Sequence, residues 1–194
     1  MSSVRTPRAR LLLTLAALAS LLVGYYAGQY WQRQTLADIS AVVYPSGRAI
    51  DFELHPDLSD ATPAWRLFVN VDTSSDDCRR LVRDYAFVRN RLASAPAIQQ
   101  RLRLALLAYD QPTETQAGAL NDDADWIDVI VASPGALDRL AAELGNLPTS
   151  TTWCDHHQGN AILVSPQREA WALIPYELPE AMAHNVRTII EFVE

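Results

Sequence analysis

The chain has 194 residues, of which 16 are arginine, none is lysine and 23 are acidic, so its formal net charge is −7 at pH 7. This length is sufficient for one domain with a full hydrophobic core. The negative charge argues against a nucleic acid as a partner, because binding to phosphates requires a basic surface.

An uncharged, apolar stretch lies near the start of the chain, between Arg10 and Arg33. Its length is close to the ~20 residues that a helix needs to cross a bilayer. Arginines precede it and aromatic residues follow it, which is typical of membrane interfaces. We predict a transmembrane anchor at residues 11–32, with residues 1–10 in the cytoplasm and the remainder on the other side of the membrane. A cleaved signal peptide is the alternative, but no Ala-Xaa-Ala site follows the stretch.

Residues 33–64 show little periodicity and contain Pro45, Pro56 and Pro63. Proline interrupts both helices and sheet ladders, because it lacks a backbone N–H. We interpret this part as a tether in which Ala49–Leu54 forms a short edge strand.

A buried strand followed by a long helix begins the main domain, which we place at residues 65–194. Trp65–Val71 is rich in leucine, phenylalanine and valine, as is typical of a core strand in a parallel sheet. Ser74 or Ser75 then provides a helix N-cap. Leucine, valine and tyrosine residues recur at helical spacing from Leu81 to Leu92, which predicts a helix that packs one face on the sheet.

The remaining pattern alternates between strands and helices. Strands are predicted at Arg101–Tyr109 and Trp126–Ala132, with a surface insertion at Asp110–Asp125 between them. A helix begins at Ser133-Pro134 and ends near Gly145. Asn160–Val164 and Ala170–Ile174 are predicted to form a hairpin, and Pro179–Val193 a final helix. This order predicts an α/β protein with a thioredoxin-like domain that follows the transmembrane helix.

The chain contains only two cysteines, Cys78 and Cys154, in a domain that we expect to face an oxidising compartment. A structural disulfide between them is one interpretation. The other is a metal site formed by Cys78, Cys154 and His157, with His156 nearby, because two thiolates and an imidazole suit Cu(I). In that site the start of the helix would favour the thiolate form of Cys78. Zinc would require a fourth ligand such as Asp155.

Enzymatic alternatives have less support in the sequence. Cys78 and His157, oriented by Asp155, could form a nucleophilic pair, but nothing in the sequence supplies an oxyanion hole or a substrate pocket. Dithiol redox turnover is not expected, because the chain contains no Cys-Xaa-Xaa-Cys motif. We therefore expect a protein that is not an enzyme.

Five segments between about Val42 and Val193 carry a resemblance to a known family: AVVYPSGRAIDFEL, RLFVNVDTSSDDC, LALLAYDQPTE, SPGALDRLAAELG and HQGNAILVSPQREAWALIPY. In their order and pattern they resemble the Sco family. Sco proteins are membrane-anchored thioredoxin-like proteins that deliver copper to the CuA centre of cytochrome c oxidase.

The family binds copper through Cys-Xaa-Xaa-Xaa-Cys and a distant histidine. In this chain Cys78 matches the second cysteine and His157 the histidine, while Ser74 stands where the family has its first cysteine. A serine hydroxyl is a poor ligand for Cu(I), but Cys154 could supply the missing sulfur. The resemblance implies a single-pass protein of the bacterial inner membrane, with its C-terminal domain in the periplasm.

Two functional hypotheses follow. In the first, the chain is a Sco-like protein that takes part in cytochrome c oxidase assembly or serves as an accessory subunit of that or another respiratory complex, with copper as a candidate cargo. In the second, it is a non-catalytic interaction subunit with a structural Cys78–Cys154 disulfide and no metal. Both hypotheses require the loop before the late hairpin to fold over the start of the first long helix of the domain.

Overall fold

In the structure, a computed structural model, the chain forms two compact units, Met1–Asp38 and Ile39–Glu194. It describes residues 7–36, 38–52, 63–110, 113, 115, 118, 124–131, 133–144, 154 and 160–194.

Within its described residues, the first unit contains one helix, α1, which spans Pro7–Thr35. Its described side chains are those of residues 12–28, and all of them are exposed. Leu21 is 71% exposed and Val23 is 69% exposed. Over the described residues, no helix combines the length and the hydropathy needed to cross a membrane. The anchor at residues 11–32 therefore stays a prediction.

The second unit is built on a mixed sheet that has six strands within the described residues, in the order β1-β6-β5-β2-β3-β4. The strands are β1 Val42–Ala49, β2 Trp65–Val71, β3 Leu102–Ala108, β4 Ile127–Ile130, β5 Asn160–Val164 and β6 Glu169–Pro175. The pairs β2–β3 and β3–β4 are parallel, whereas β2–β5, β5–β6 and β1–β6 are antiparallel. The helices are α2 Asp76–Arg91, α3 Pro96–Arg101, α4 Pro134–Leu144 and α5 Pro179–Val193, with a 3-10 turn at Leu92–Ser94.

Helices cover both faces of the sheet. On one face, alternate residues of β2 such as Leu67 pack with buried residues of α2 and α5. On the other face, Phe68 packs with Leu140 and Leu144 of α4. All seven residues of β2 are buried. This confirms the predicted α/β thioredoxin-like architecture with β2 as a core strand.

Helix α2 begins as predicted. Ser75 is the N-cap and accepts a hydrogen bond from the Cys78 amide, while Asp76 and Asp77 lie in the first turn. Acidic residues are favourable there because the helix N-terminus carries partial positive charge. The predicted apolar face is buried, and its members are Leu81, Val82, Tyr85, Val88 and Leu92.

The edge strand lies earlier in the chain than predicted. The prediction placed it at Ala49–Leu54, but β1 covers Val42–Ala49, and the described residues 50–52 lie outside any strand. Ile50 and Phe52 are instead buried in the core on the α4 side of the sheet. Ile50 and Phe52 alternate with polar residues because this segment, although it is not a strand, buries both apolar side chains in the core.

Pro45 and Gly47 lie within β1, which occupies one end of the sheet. Proline is tolerated on edge strands, because a position that faces solvent there needs no backbone N–H to pair with a neighbouring strand. The register of β1 against β6 shifts between Val43 and Arg48, as in a β-bulge. Pro45, one of the prolines that indicated a tether, is therefore compatible with a strand at this position.

Two other predicted features lie outside the described residues. Most of the insertion at Asp110–Asp125 belongs to this group, and so does the helix end at Gly145. The final hairpin and helix α5 agree with their predicted positions.

We expect Gly47→Ala to destabilise the domain by about 1–3 kcal/mol, the usual cost of overpacking. A Cβ atom at this position would lie 2.8 Å from the Cβ of Glu169, which belongs to the neighbouring strand. The measurement is the urea midpoint of the purified chain. Gly135→Ala is the matched control, because a Cβ there meets no atom within 4 Å. Equal losses of stability in the two variants would contradict the steric explanation.

Candidate functional site

The two cysteines are joined by a disulfide bond. Cys78 lies in the first turn of α2, and Cys154 lies between α4 and β5. The Cα atoms are 4.8 Å apart, although the residues are separated by 76 positions in the sequence. Cys78 is 1% exposed and Cys154 is 7% exposed. The bond therefore lies at the buried junction of two distant parts of the chain.

The order of the strands explains why these segments meet. Strand β5 is antiparallel to its neighbour β2, so that Val69 pairs with Ala161. The beginning of β5 therefore lies beside the end of β2. Cys154 shortly precedes β5 and Cys78 shortly follows β2, so both residues lie at the same edge of the sheet. In open α/β sheets, this carboxyl edge of the parallel strands is the usual place for a functional site.

The sulfur of Cys78 receives direct support from the backbone. The Asp72 N–H donates a hydrogen bond to Cys78 Sγ at 3.1 Å. The Cys78 N–H donates to Ser75 Oγ at 3.4 Å. The first of these bonds and the helix N-terminus both place positive partial charge near Cys78 Sγ.

Two carboxylates order the loop between β2 and α2. The N–H and hydroxyl of Ser74 donate to Asp72 Oδ1 at 2.9 and 2.6 Å. The N–H and hydroxyl of Thr73 donate to Asp110 Oδ2 at 3.1 and 2.5 Å. Because Asp72 follows β2 and Asp110 follows β3, neighbouring parallel strands fix the loop that leads to Cys78.

Sequence reasoning did not assign Thr73 and Asp110 to the site. A usable signal was present, since each residue follows a buried strand, and parallel neighbours end at the same edge of the sheet. Thr73 itself is buried.

Tyr109 lies beside this loop and donates its backbone N–H to the Val71 carbonyl at 3.3 Å. Burial raises the pKa of Tyr109 to about 12, and the negative charge of Asp138 contributes in the same direction. The phenol therefore remains protonated near neutral pH, so it adds no charge to the site.

The predicted metal ligands are only partly described. Cys78 and Cys154 are brought together, whereas Asp155, His156 and His157 lie outside the described residues. Within the part of the chain that is described, no group of three or more His, Cys, Asp or Glu side chains could hold a metal ion.

The disulfide also limits what the two sulfurs can bind. Cu(I) prefers thiolate ligands, and thiolates exist here only after the bond has been reduced by two electrons. Ser74, which matches the first cysteine of the Sco motif, is exposed, and its hydroxyl donates a hydrogen bond to Asp72. The oxidised site thus does not suit Cu(I), while the reduced site would supply two soft ligands.

The sequence matches no protein-family model, and no match was found among curated proteins. Solved structures with a similar fold do exist. The crystal structure of Arabidopsis thaliana ScoI with copper bound is 12% identical, with a TM-score of 0.53, over 67% of this chain and 86% of that chain. BsSco, a member of the Sco family of cytochrome c oxidase assembly proteins studied for a disulfide switch, is 14% identical, with a TM-score of 0.52, over 68% and 83%.

Both of these neighbours are Sco proteins, which confirms the resemblance at the level of the fold. Sequence identity of 12–14% is too low to carry a function from one protein to the other.

We expect loss of the disulfide to destabilise the domain by about 2–5 kcal/mol, because the bond closes a long loop and so restricts the unfolded chain. Urea unfolding of the purified chain, with and without a reductant, measures this effect. The double variant Cys78→Ala/Cys154→Ala is the control, and its midpoint should not respond to reductant. A wild-type midpoint that is equally insensitive would show that the bond does not stabilise the fold.

Proposed function

We propose that the chain is a membrane-anchored Sco-like protein that acts beside cytochrome c oxidase, or beside another respiratory membrane complex, as an assembly factor or accessory subunit. In its resting state the two cysteines form the disulfide. The observation that carries the proposal is the Cys78–Cys154 bond at the carboxyl edge of a Sco-like sheet.

The membrane location is supported by the sequence of residues 11–32, which is free of charged residues and follows three arginines. The exposed leucine and valine side chains of α1 agree with it, since a helix that is apolar on all sides requires an apolar environment. We place the anchor in a bacterial inner membrane as a single pass, with the domain in the periplasm. Disulfides persist in that compartment.

The primary role that we propose is interaction without catalysis. The disulfide joins separate segments and is almost fully buried, as is typical of a bond that holds two elements in place. It closes a long loop, whereas the redox motif Cys-Xaa-Xaa-Cys closes a very short one. The acidic composition of the chain beyond the anchor would favour a partner with a basic face.

Isolation of the tagged chain from native membranes in mild detergent tests this role. We expect subunits of a cytochrome c oxidase to co-purify with the wild type. The variant Cys78→Ala/Cys154→Ala, at a temperature where it remains folded, should retain the same partners. Recovery of an unrelated complex would remove the respiratory assignment, and loss of the partners from the folded variant would contradict a purely structural bond.

A second candidate function is copper binding by the reduced protein. It is favoured by the placement of two sulfurs at one point and by the hydrogen bond from Asp72 N–H to Cys78 Sγ, which would stabilise a thiolate. The resemblance assigns His157 as the third ligand. Copper would then be a cargo that binds only after the disulfide has opened.

Anaerobic reduction followed by Cu(I) loading and metal analysis tests this second function. We expect about one copper per chain in the wild type, because two thiolates and one imidazole suffice for Cu(I). His157→Ala should lower the bound copper, and His184→Ala is the matched control, because His184 is exposed on α5. Absence of stoichiometric copper, or an equal effect of both histidine variants, would eliminate this site.

A further inference from the structure

Two large hydrophobic side chains, Phe87 and Leu178, form an exposed pair on the α2 side of the domain. Phe87 is 45% exposed and Leu178 is 75% exposed. Phe87 is the only large hydrophobic residue on the exposed face of α2, whose other members are Asp76, Asp77, Arg79, Arg80, Arg83, Asn90 and Arg91. A single exposed hydrophobic residue is ordinary, whereas hydrophobic residues that cluster on a surface indicate a contact with another molecule.

Two polar contacts join α2 to the segment that begins α5. The hydroxyl of Tyr176 donates a hydrogen bond to Asp84 Oδ2, and Arg91 Nη2 lies 2.7 Å from Glu180 Oε1. Phe87 lies on α2 between Asp84 and Arg91 and on the same side of the helix as both, because residues three or four positions apart are neighbours on a helix surface. The exposed leucine lies midway between Tyr176 and Glu180 in the sequence. Both members of the exposed pair are therefore enclosed by the same two contacts.

The backbone of both residues is fixed. Phe87 lies inside a 16-residue helix. The carbonyl of Leu178 accepts hydrogen bonds from the N–H groups of Ala181 and Met182 at 2.9 and 3.1 Å, and Pro179 lies in the first turn of α5. A surface that is ordered before binding loses little conformational entropy when a partner arrives. The exposed pair is thus suited to receive a partner without rearrangement.

Arg83 supplies a positive charge beside the exposed pair. It is exposed and lies four positions before Phe87, so the two side chains are neighbours on α2. Arg79, Arg80 and Arg91 each pair with a carboxylate. No ion pair or ring contact joins the Arg83 side chain to another described residue. Its charge is therefore available to a carboxylate of a partner. This local chemistry differs from the acidic average of the domain, which acts on a partner at longer range.

We propose that Phe87, Leu178 and Arg83 form a docking surface, the α2 patch, for a protein that presents an apolar side chain with a carboxylate beside it. In the complex the apolar side chain packs on the exposed pair, and the carboxylate pairs with Arg83. An apolar centre with a charged rim is the usual composition of a protein interface. The proposal rests on the interaction role proposed above, and it specifies the surface and the chemistry of the contact.

A membrane surface fits the α2 patch less well than a protein does. Anionic lipid headgroups would be attracted to Arg83 but repelled by the carboxylates of Asp84 and Glu180, which border the exposed pair. A protein can place its charges one by one, so that a carboxylate meets Arg83 and none meets Asp84 or Glu180. Charge complementarity of this kind selects the partner and its orientation.

Photo-cross-linking of the full chain in native membranes tests the surface. The probe is Phe87→benzoylphenylalanine, and Arg139→benzoylphenylalanine is the control, because Arg139 is exposed on α4, which covers the other face of the sheet. We expect an adduct with another protein from position 87 and none with that protein from position 139. Mass spectrometry should locate the linked residue in a partner segment that contains an apolar residue and an Asp or Glu on the same surface.

Several results of this experiment would overturn the proposal. They are an adduct between two copies of the chain, an adduct with lipid alone, the same adduct from both positions, and no adduct at all. A linked partner segment without an acidic residue would also overturn it, because Arg83 would then have no counterpart.

Charge reversal tests the role of the carboxylate. In the chain that carries the probe at position 87, we expect Arg83→Glu to lower the yield of the adduct at least about tenfold, because like charges then face each other across the contact. Arg139→Glu makes the same charge change on α4 and should alter the yield by less than about twofold, since a distant surface charge contributes little. Circular dichroism verifies that both variants are folded. Equal yields from the two variants would refute the pairing with Arg83.

A compensating change in the partner makes the test specific. Once the linked segment is known, its acidic residue is replaced by arginine. We expect this change to restore the adduct with Arg83→Glu and to weaken it with the wild-type arginine. Loss of the adduct in both combinations would show that the two charges do not meet.

Failure of this proposal is distinguishable from failure of the proposed function. If a cytochrome c oxidase co-purifies with the chain but position 87 forms no adduct, the α2 patch is wrong and the respiratory role stands. If position 87 links to an acidic segment of a protein outside the respiratory complexes, and Arg83→Glu abolishes the adduct, the α2 patch stands and the respiratory role is wrong.

Discussion

The pairing of β2 between β3 and β5 is the constraint on which the rest of the domain depends. Its parallel pairing with β3 places the ends of both strands at one edge, where Asp72 and Asp110 order the loop. Its antiparallel pairing with β5 places the segment before β5 at that same edge. Because β2 is buried along its whole length, a change of register would move its entire apolar set to the wrong positions.

The disulfide follows from this arrangement and adds covalent strength to it. It connects the start of α2 with Cys154, which precedes β5. It also makes structural and metal-binding roles of the cysteines mutually exclusive at any one moment. The same two sulfurs cannot be both bonded to each other and available to Cu(I) as thiolates, so the redox state decides which role is open to the chain.

Local elements could be predicted wherever a periodic pattern was strong. The alternating residues of β2, the Ser75 cap and the apolar face of α2 are examples, because each depends on neighbours only a few positions away. Strand β1 was misplaced because Pro45 is unfavourable for a strand in general. Only the sheet shows that β1 is at an edge, where proline is acceptable and a bulge accommodates the mismatch. The short helix α3 was also not predicted, since its six residues provide too little periodicity.

The sequence by itself determined the apolar segment near its start, the core strands and helices, and the presence of only two cysteines. It left open whether Cys78 would meet Cys154. It placed Thr73 and Asp110 after neighbouring strands but did not show that their side chains would bond, or that the Asp72 N–H would reach a sulfur. The tertiary structure decided these points. These contacts join residues that strand order and strand direction bring together. Strand order and direction depend on the packing of the whole sheet, and local periodicity in the sequence does not encode them.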